Sequence, residues 1–225
     1  MGLNIVTKID PLVPIKHVLI SVSDKTGLDD FIPKLVKIVP DITIISTGGT
    51  YQKIKEILGY QADQRLVLVS DYTGQPETQG GLVKTLDFKI YLGLLTETYN
   101  EYHQNDLKRT QASPIDMVVV NLYPFEQTVA KTDVTVEQAR GNIDIGGPCM
   151  IRASAKNFIR VASVVDPQDY ESIIEEMKQN NGATTLNKRF QLAQKAFGHT
   201  SNYDTAIFEY LSKQSMDAVS TCYNL

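Results

Sequence analysis

Short runs of consecutive apolar residues, each broken by small polar groups and followed by helical spacing, constrain this chain most. HVLISVS (17–23), ITIIST (42–47) and MVVVNLYPF (117–125) are strand-sized and do not alternate apolar with polar. A strand apolar at consecutive positions is covered on both faces, as in a parallel sheet between helices. Leu28, Phe31, Leu35, Val36 and Val39 follow the first run at helical spacing, and YQKIKEILG (51–59) follows the second. Asp24 or Ser23 is the expected cap of the first helix, with Pro33 near its start. Gly59 is a natural stop for the second helix. RLVLVSDYTG (65–74) and RVASVVDP (160–167) read as further strands. Pro167 begins a turn into a helix over 168–179, the polar segment 97–112 reads as a surface helix, and 187–213 is a last helical region. This order predicts an α/β fold with a mainly parallel, doubly wound central sheet and C-terminal helical elements.

A length of 225 residues suits one such domain. Its two cysteines, Cys149 and Cys222, cannot build a disulfide scaffold or a Cys-rich zinc site. A net charge of −4 leaves no electrostatic footprint for nucleic acid. No apolar run approaches the roughly 20 residues that span a bilayer, and the N-terminus lacks the apolar core of a signal peptide. The expectation is a cytoplasmic, soluble protein with no nucleic-acid or membrane partner. His17, His103 and His199 lack metal-ligand spacing, so no metal site is expected. A Ser-His-Asp hydrolase lacks its G-x-S-x-G elbow.

Four segments place small, hydroxyl-bearing or charged groups after strand candidates, the edge where open α/β sheets bind ligands. SVSDKTG (21–27) brings Ser23 and Lys25 to a helix start, which is either an anion-binding corner or a plain capped turn. STGGT (46–50) offers Ser46, Gly48, Gly49 and Thr50 at the next such turn. It matches neither the P-loop nor the dinucleotide fingerprint, and a phosphate monoester fits it better than a triphosphate. GGLVKT (80–85) sets Lys84 and Thr85 beside two glycines, reaching over a ligand or standing in solvent. NLYPF (121–125) and NIDIGGPCMIRASAKN (142–157) form the longest block. There Asp144 lies between Ile143 and Ile145, before a Gly-Gly-Pro turn and a short helix. A carboxylate among apolar neighbours is costly unless used or paired; the competing role is a helix N-cap.

These blocks, with VVDPQDY (164–170) and RFQLAQKAFGHTSNYDTAIFEYL (189–211), run in the order found in the IMP cyclohydrolase domain of the bifunctional purine-biosynthesis enzyme. The chain resembles that family over roughly 16–213, leaving 1–15 as an N-terminal extension and 214–225 as a C-terminal tail. The resemblance implies a methylglyoxal-synthase-like three-layer fold. It implies an enzyme that closes 5-formamidoimidazole-4-carboxamide ribonucleotide (FAICAR) to inosine monophosphate (IMP) with loss of water, using no metal and no cofactor. Its substrate would be a small purine ribonucleotide, its assembly a homodimer, and a separate formyltransferase acting on AICAR would supply FAICAR. By motif, the catalytic group falls on Lys84, Tyr123, Asp144 and Lys156. Substrate and phosphate contacts fall on Ser23, Lys25, Ser46, Gly48, Gly49, Thr50, Thr85, Asn121, Ile145, Gly146 and Gly147. Asp144 would take a proton from the attacking carboxamide, and Lys156 or Lys84 would supply one to the formyl oxygen.

The stretch GLVKTLDFKIYLG (81–93) departs from the family pattern. Leu82 stands where arginine is usual, Asp87 and Tyr91 where histidines are, and Phe88 where proline is. Lys89 is the candidate to restore the missing charge. The altered segment keeps open a non-catalytic purine-ribonucleotide-binding module of the same fold. A methylglyoxal synthase leaves the 142–157 block without a task.

Overall fold

A computed structural model describes residues 5–76, 78 and 83–224. The leading Gly80–Leu82 of the GGLVKT segment therefore lies outside the described residues. A three-residue strand, β1 (Leu12–Pro14), precedes β2 (His17–Val22), α1 (Leu28–Ile38), β3 (Thr43–Ser46) and α2 (Gly48–Leu58). Then come α3 (Ala62–Arg65), β4 (Leu66–Leu68), α4 (Val69–Thr73), α5 (Phe88–Leu95), α6 (Glu101–Thr110) and β5 (Met117–Asn121). The remainder is α7 (Phe125–Val129), α8 (Val136–Gly141), α9 (Gly146–Lys156), β6 (Ala162–Val164), α10 (Tyr170–Gln179), β7 (Ala183–Thr185), α11 (Leu186–Ser212) and α12 (Met216–Ser220).

The five strands of the central sheet run parallel in the order β4-β3-β2-β5-β6. Consecutive residues of β2 and β5 serve opposite faces. Val18, Ile20, Met117 and Val119 pack with Phe31 and Leu35 of α1, Ile54 of α2 and Ile173 and Met177 of α10. Leu19, Val118 and Val120 pack with Ile90 and Leu94 of α5, Ile151 of α9 and Ala193 and Ala196 of α11. The unbroken apolar runs thus mark strands buried on both sides, and the fold is the expected three-layer α/β arrangement.

Local details differ from the sequence reading. Neither Ser23 nor Asp24 caps α1; its N-cap is Gly27, with φ 80°, and Asp24 instead accepts hydrogen bonds from the N–H (2.9 Å) and hydroxyl (2.6 Å) of Thr26. Pro33 sits inside α1, past its first turn, and is exposed, so its ring meets solvent. The 65–74 run is a short strand that turns into α4, and α2 begins at Gly48 rather than at Tyr51. Residues 88–95, for which the sequence reading set no element, form α5. The N-terminal residues are built into the domain: β1 pairs antiparallel with β7, and Val13 and Ile15 are buried. Residues of the expected tail form α12, and Tyr223 donates its hydroxyl to Glu137 at 2.6 Å.

Arg189 locks this N-terminal attachment. Its guanidinium is fully buried and donates to the carbonyls of Asp10 (3.0 Å), Phe158 (3.0 Å), Ile159 (3.2 Å) and Thr184. Replacing it orphans several buried acceptors at once. Arg189→Met should lower the unfolding free energy by about 3 kcal/mol or more, read by urea titration.

Candidate active site

Strand order reverses between β2 and β5: the chain adds β3 and β4 on one side of β2, then returns to place β5 and β6 on the other. Such a switch point leaves a crevice beyond the carboxyl ends of the strands. Here it holds a cavity of about 360 Å³. Its walls come from the turn after β2, the head of α2, the 84–85 turn, the end of β5 and the head of α9.

One end is cationic. Gly48 opens α2 with φ +41°, and a Cβ there would lie 3.3 Å from Lys84 Nζ. A Cβ on Gly49 would lie 3.9 Å from Lys25 Nζ. Two ammonium groups therefore converge on one helix N-terminus, where the backbone carries partial positive charge. Lys25 donates to the carbonyls of Ser23 (3.3 Å) and Val22 (3.5 Å) and makes no ion pair within 4 Å among the described residues, though its charge helps to hold the Asp24 carboxyl low. Ser23 and Thr50 also line this end, and Thr85 stands against the head of α9.

Several neighbouring polar groups hold the shape. Thr50 Oγ1 donates to the Val22 carbonyl at 3.0 Å and accepts the Val22 N–H at 3.1 Å, tying α2 to β2. The Asn121 amide accepts the Asp24 N–H at 2.9 Å and donates to the Asp24 carbonyl at 2.7 Å, fixing the turn that carries Lys25. Ser46 is fully buried behind the wall, its hydroxyl donating to Ile20 at 2.7 Å.

Asp144 stands at the other end. Its Oδ1 accepts the Gly147 N–H at 2.9 Å, so it caps α9 and lines the cavity together. The N-cap position itself is Ile145, and Asp144, one residue before it, supplies the side-chain acceptor for the first turn while also lining the cavity. Burial raises its pKa above the ordinary carboxylate value, against the lowering effect of the Gly147 and Tyr123 backbone N–H groups and the Lys84 charge. Gly146 and Gly147 have no room for a side chain: a Cβ would collide with Thr85 Oγ1 at the first, and lie 2.6 Å from Leu122 Cδ2 at the second. The N–H groups of Ile145 and Gly146 make no hydrogen bond among the described residues. Tyr123 and Ile145 are 48% and 57% exposed and flank the mouth.

Lys156 is elsewhere. It ends α9 and is exposed, about 15 Å along the helix axis from Gly146 at 1.5 Å per residue, and it does not line the cavity. Lys89 is also outside, donating to the Tyr72 carbonyl at 3.4 Å, so it does not replace a charge in the cavity. Asp87 is buried as the N-cap of α5, accepting from the Lys89 N–H (2.8 Å) and Gln75 Nε2 (2.7 Å). The Tyr91 hydroxyl is buried without a partner among the described residues, and burial pushes its pKa up. Leu82 lies outside the described residues. Sequence reasoning missed Tyr203 of α11, whose phenol accepts the Asp144 N–H at 2.8 Å. Nothing local could have revealed a partner separated from Asp144 by most of α9, β6, α10 and α11.

No group of three His, Cys, Asp or Glu able to hold a metal occurs among the described residues. No helix among them is long and apolar enough to cross a membrane.

A parallel sheet with a phosphate-sized cationic corner at its switch point defines an MGS-like domain, and the model of that family matches residues 27–149. The chain belongs to the MGS-like family, and a second model, described as AICARFT/IMPCHase bienzyme, matches residues 154–224. Its relatives include the bifunctional purine biosynthesis protein PurH of Thermoanaerobacter sp., 51% identical over 89% of this chain and 38% of that protein. PurH of Chlorobaculum parvum is 47% identical over 91% of this chain and 37% of that protein. The chain thus spans less than two fifths of these curated relatives, the part that corresponds to IMP cyclohydrolase. Among solved structures, that titled "Crystal structure of ForH" superposes with a TM-score of 0.72 at 28% identity, covering 87% of this chain and 98% of that one.

The tight head of α9 is testable. Gly147→Ala should destabilise the fold by roughly 1–3 kcal/mol in thermal melts, because its Cβ meets Leu122. Gly141→Ala, with nothing within 4 Å of the added Cβ, should melt close to the parent.

Proposed function

We propose that this chain is an IMP cyclohydrolase that closes FAICAR to IMP with loss of water. One observation carries the reading: a carboxylate of raised pKa, Asp144, shares a cavity with two lysines converging on a Gly-Gly helix start. The nucleotide phosphate sits at the head of α2, held by Lys25, Ser23 and backbone N–H groups. The base reaches toward α9, between Tyr123 and Ile145. Asp144 accepts a proton from the carboxamide nitrogen as that nitrogen attacks the formyl carbon. The formyl oxygen gains negative charge beside the unbonded N–H groups of Ile145 and Gly146, and Lys84 supplies its proton. The new hydroxyl then leaves as water with the hydrogen of the formamido nitrogen, completing the purine ring. Ring closure is intramolecular, so holding the carboxamide against the formyl group supplies much of the rate.

Lys84 is the proton donor that a single chain provides. Lys156 takes part only if a second copy brings its own residue to the cavity, so its role and the proposed homodimer stand together. FAICAR comes from a separate formyltransferase in the cytoplasm. A purine-nucleotide-binding module without turnover is the alternative, motivated by the altered 87–91 segment. It is disfavoured because Asp87, Phe88, Lys89 and Tyr91 do not line the cavity.

Incubation with FAICAR should give the rising absorbance of IMP; no turnover with IMP binding retained would establish the alternative. Asp144→Asn should lower kcat by about 10²–10⁴-fold while leaving IMP affinity within a few-fold. Lys25→Ala should raise KM by about tenfold, a charge-assisted phosphate contact, with a smaller effect on kcat. The active form of Asp144 is the carboxylate. Activity should therefore fall as pH drops through its raised pKa, earlier than an ordinary aspartate would dictate.

A further inference from the structure

Tyr203 has a hydrogen-bonding arrangement that packing alone does not require. It lies well along α11, 8% exposed, with its ring edge-on to Phe125 at 6.2 Å between centroids. A phenylalanine would make the same ring contact. The hydroxyl does something different: it accepts the Asp144 N–H at 2.8 Å and donates to the Asn142 carbonyl at 3.3 Å. One oxygen thus bridges the two ends of the 142–144 turn. The next N–H groups along, those of Ile145 and Gly146, are the ones left without acceptors, and Gly147 is bound to the Asp144 carboxylate.

We propose that Tyr203 is the positioning residue for Asp144, its phenol holding the 142–144 turn so that the carboxylate stays half-buried at the head of α9 and the following N–H groups stay open to the cavity. This rests on the cyclohydrolase reading for its consequence in catalysis, though not for its geometry. The mechanism is local. The turn between α8 and α9 has no regular structure, and the Asp144 N–H finds no other partner among the described residues. Without the phenol, that N–H must seek water. A turn hydrated on its inner side lets the carboxylate swing outward and become solvated. A displacement of about 1 Å at a reacting group costs on the order of a hundredfold in rate.

The groups that face Asp144 from each packed element are Lys84 from the 84–85 turn, the Tyr123 N–H from the end of β5, the Gly147 N–H from α9 and Tyr203 from α11. Asp204 adds a further charge near the phenol. Burial is the one influence that raises the Asp144 pKa, and the other three named for it lower it. Loosening the turn removes burial, so the carboxyl should titrate closer to the ordinary aspartate value.

The test compares Tyr203→Phe with the parent in the full chain. The expected result is a fall in kcat of about ten- to a hundredfold, with KM for FAICAR within about twofold because the phosphate corner is untouched. The acid limb of the kcat/KM profile should move to lower pH, and the melting temperature should stay within a few degrees. Unchanged kcat overturns the proposal; so does a loss of kcat with an unmoved acid limb, which marks a merely structural role. The second measurement needs no turnover: the Asp144 carboxyl carbon is titrated by NMR in parent and variant. A lower titration midpoint in Tyr203→Phe supports the proposal even if the parent does not consume FAICAR. That outcome would separate failure of the cyclohydrolase reading from failure of the positioning role, and an identical midpoint would overturn the latter. Should Tyr203→Phe fold poorly, Asn142→Ala, which keeps the phenol and both backbone groups, should titrate as the parent does.

Discussion

The hydrogen bond from the Gly147 N–H to Asp144 Oδ1 is the contact on which the site depends. It closes the first turn of α9 against a carboxylate that also lines the cavity. An N-cap stabilises a helix by about 1 kcal/mol, so the chain holds Asp144 in place with ordinary folding energy. The same bond explains the glycines. With the carboxylate folded over the helix start and Thr85 against it, positions 146 and 147 have no space for a side chain. A close approach at one helix head thus sets residue type at three positions and brings the 84–85 turn into register with α9.

The second helix head works by the same logic with opposite charge. At α2 the glycines let two lysine side chains approach the backbone, and at α9 they let a threonine and an aspartate approach it. The sheet brings these two heads to one crevice: β3, which leads into α2, and β5, which leads through α7 and α8 to α9, flank β2 on either side. Lysine ammonium groups stand at one head and the Asp144 carboxylate at the other. A ribonucleotide monophosphate has the length and polarity to bridge such ends.

The parts of this arrangement legible in the sequence are those with local causes. Consecutive apolar residues announced β2, β3 and β5, and small polar groups after them marked the carboxyl edge. The start of α2 at Gly48 was obscured because glycine is a poor helix former whose use here depends on lysines brought from the 25 and 84 turns. The β1–β7 pairing was hidden because its two short strands are far apart in the chain. The family resemblance, beginning near residue 16, left 1–15 as an extension, since buried Arg189, which clasps Asp10, gives no local signal. The family resemblance pairs Lys156 with Asp144, and within one chain α9 sets the two at opposite ends of its axis. The phenol of Tyr203 was invisible for the same reason as the strand pairing.

The segment after Lys84, where the sequence departs from the family pattern it resembles, supports the cavity from outside. Asp87 has become a helix cap, satisfying the Lys89 N–H and a glutamine amide in a buried position. Such a role suits a short carboxylate, and it anchors the start of α5 directly after the turn that carries Lys84 and Thr85. Tyr91 turns its ring toward α9, where its hydroxyl lies beside Cys149 rather than in the cavity. Phe88 is left 59% exposed on the outer side of the same helix. These residues act on the scaffold that presents the 84–85 turn. The cationic groups that line the cavity are Lys25 and Lys84. The constraint on this chain is therefore the meeting of two helix heads and one turn, and the residues outside that meeting point are free to find other ways of holding it.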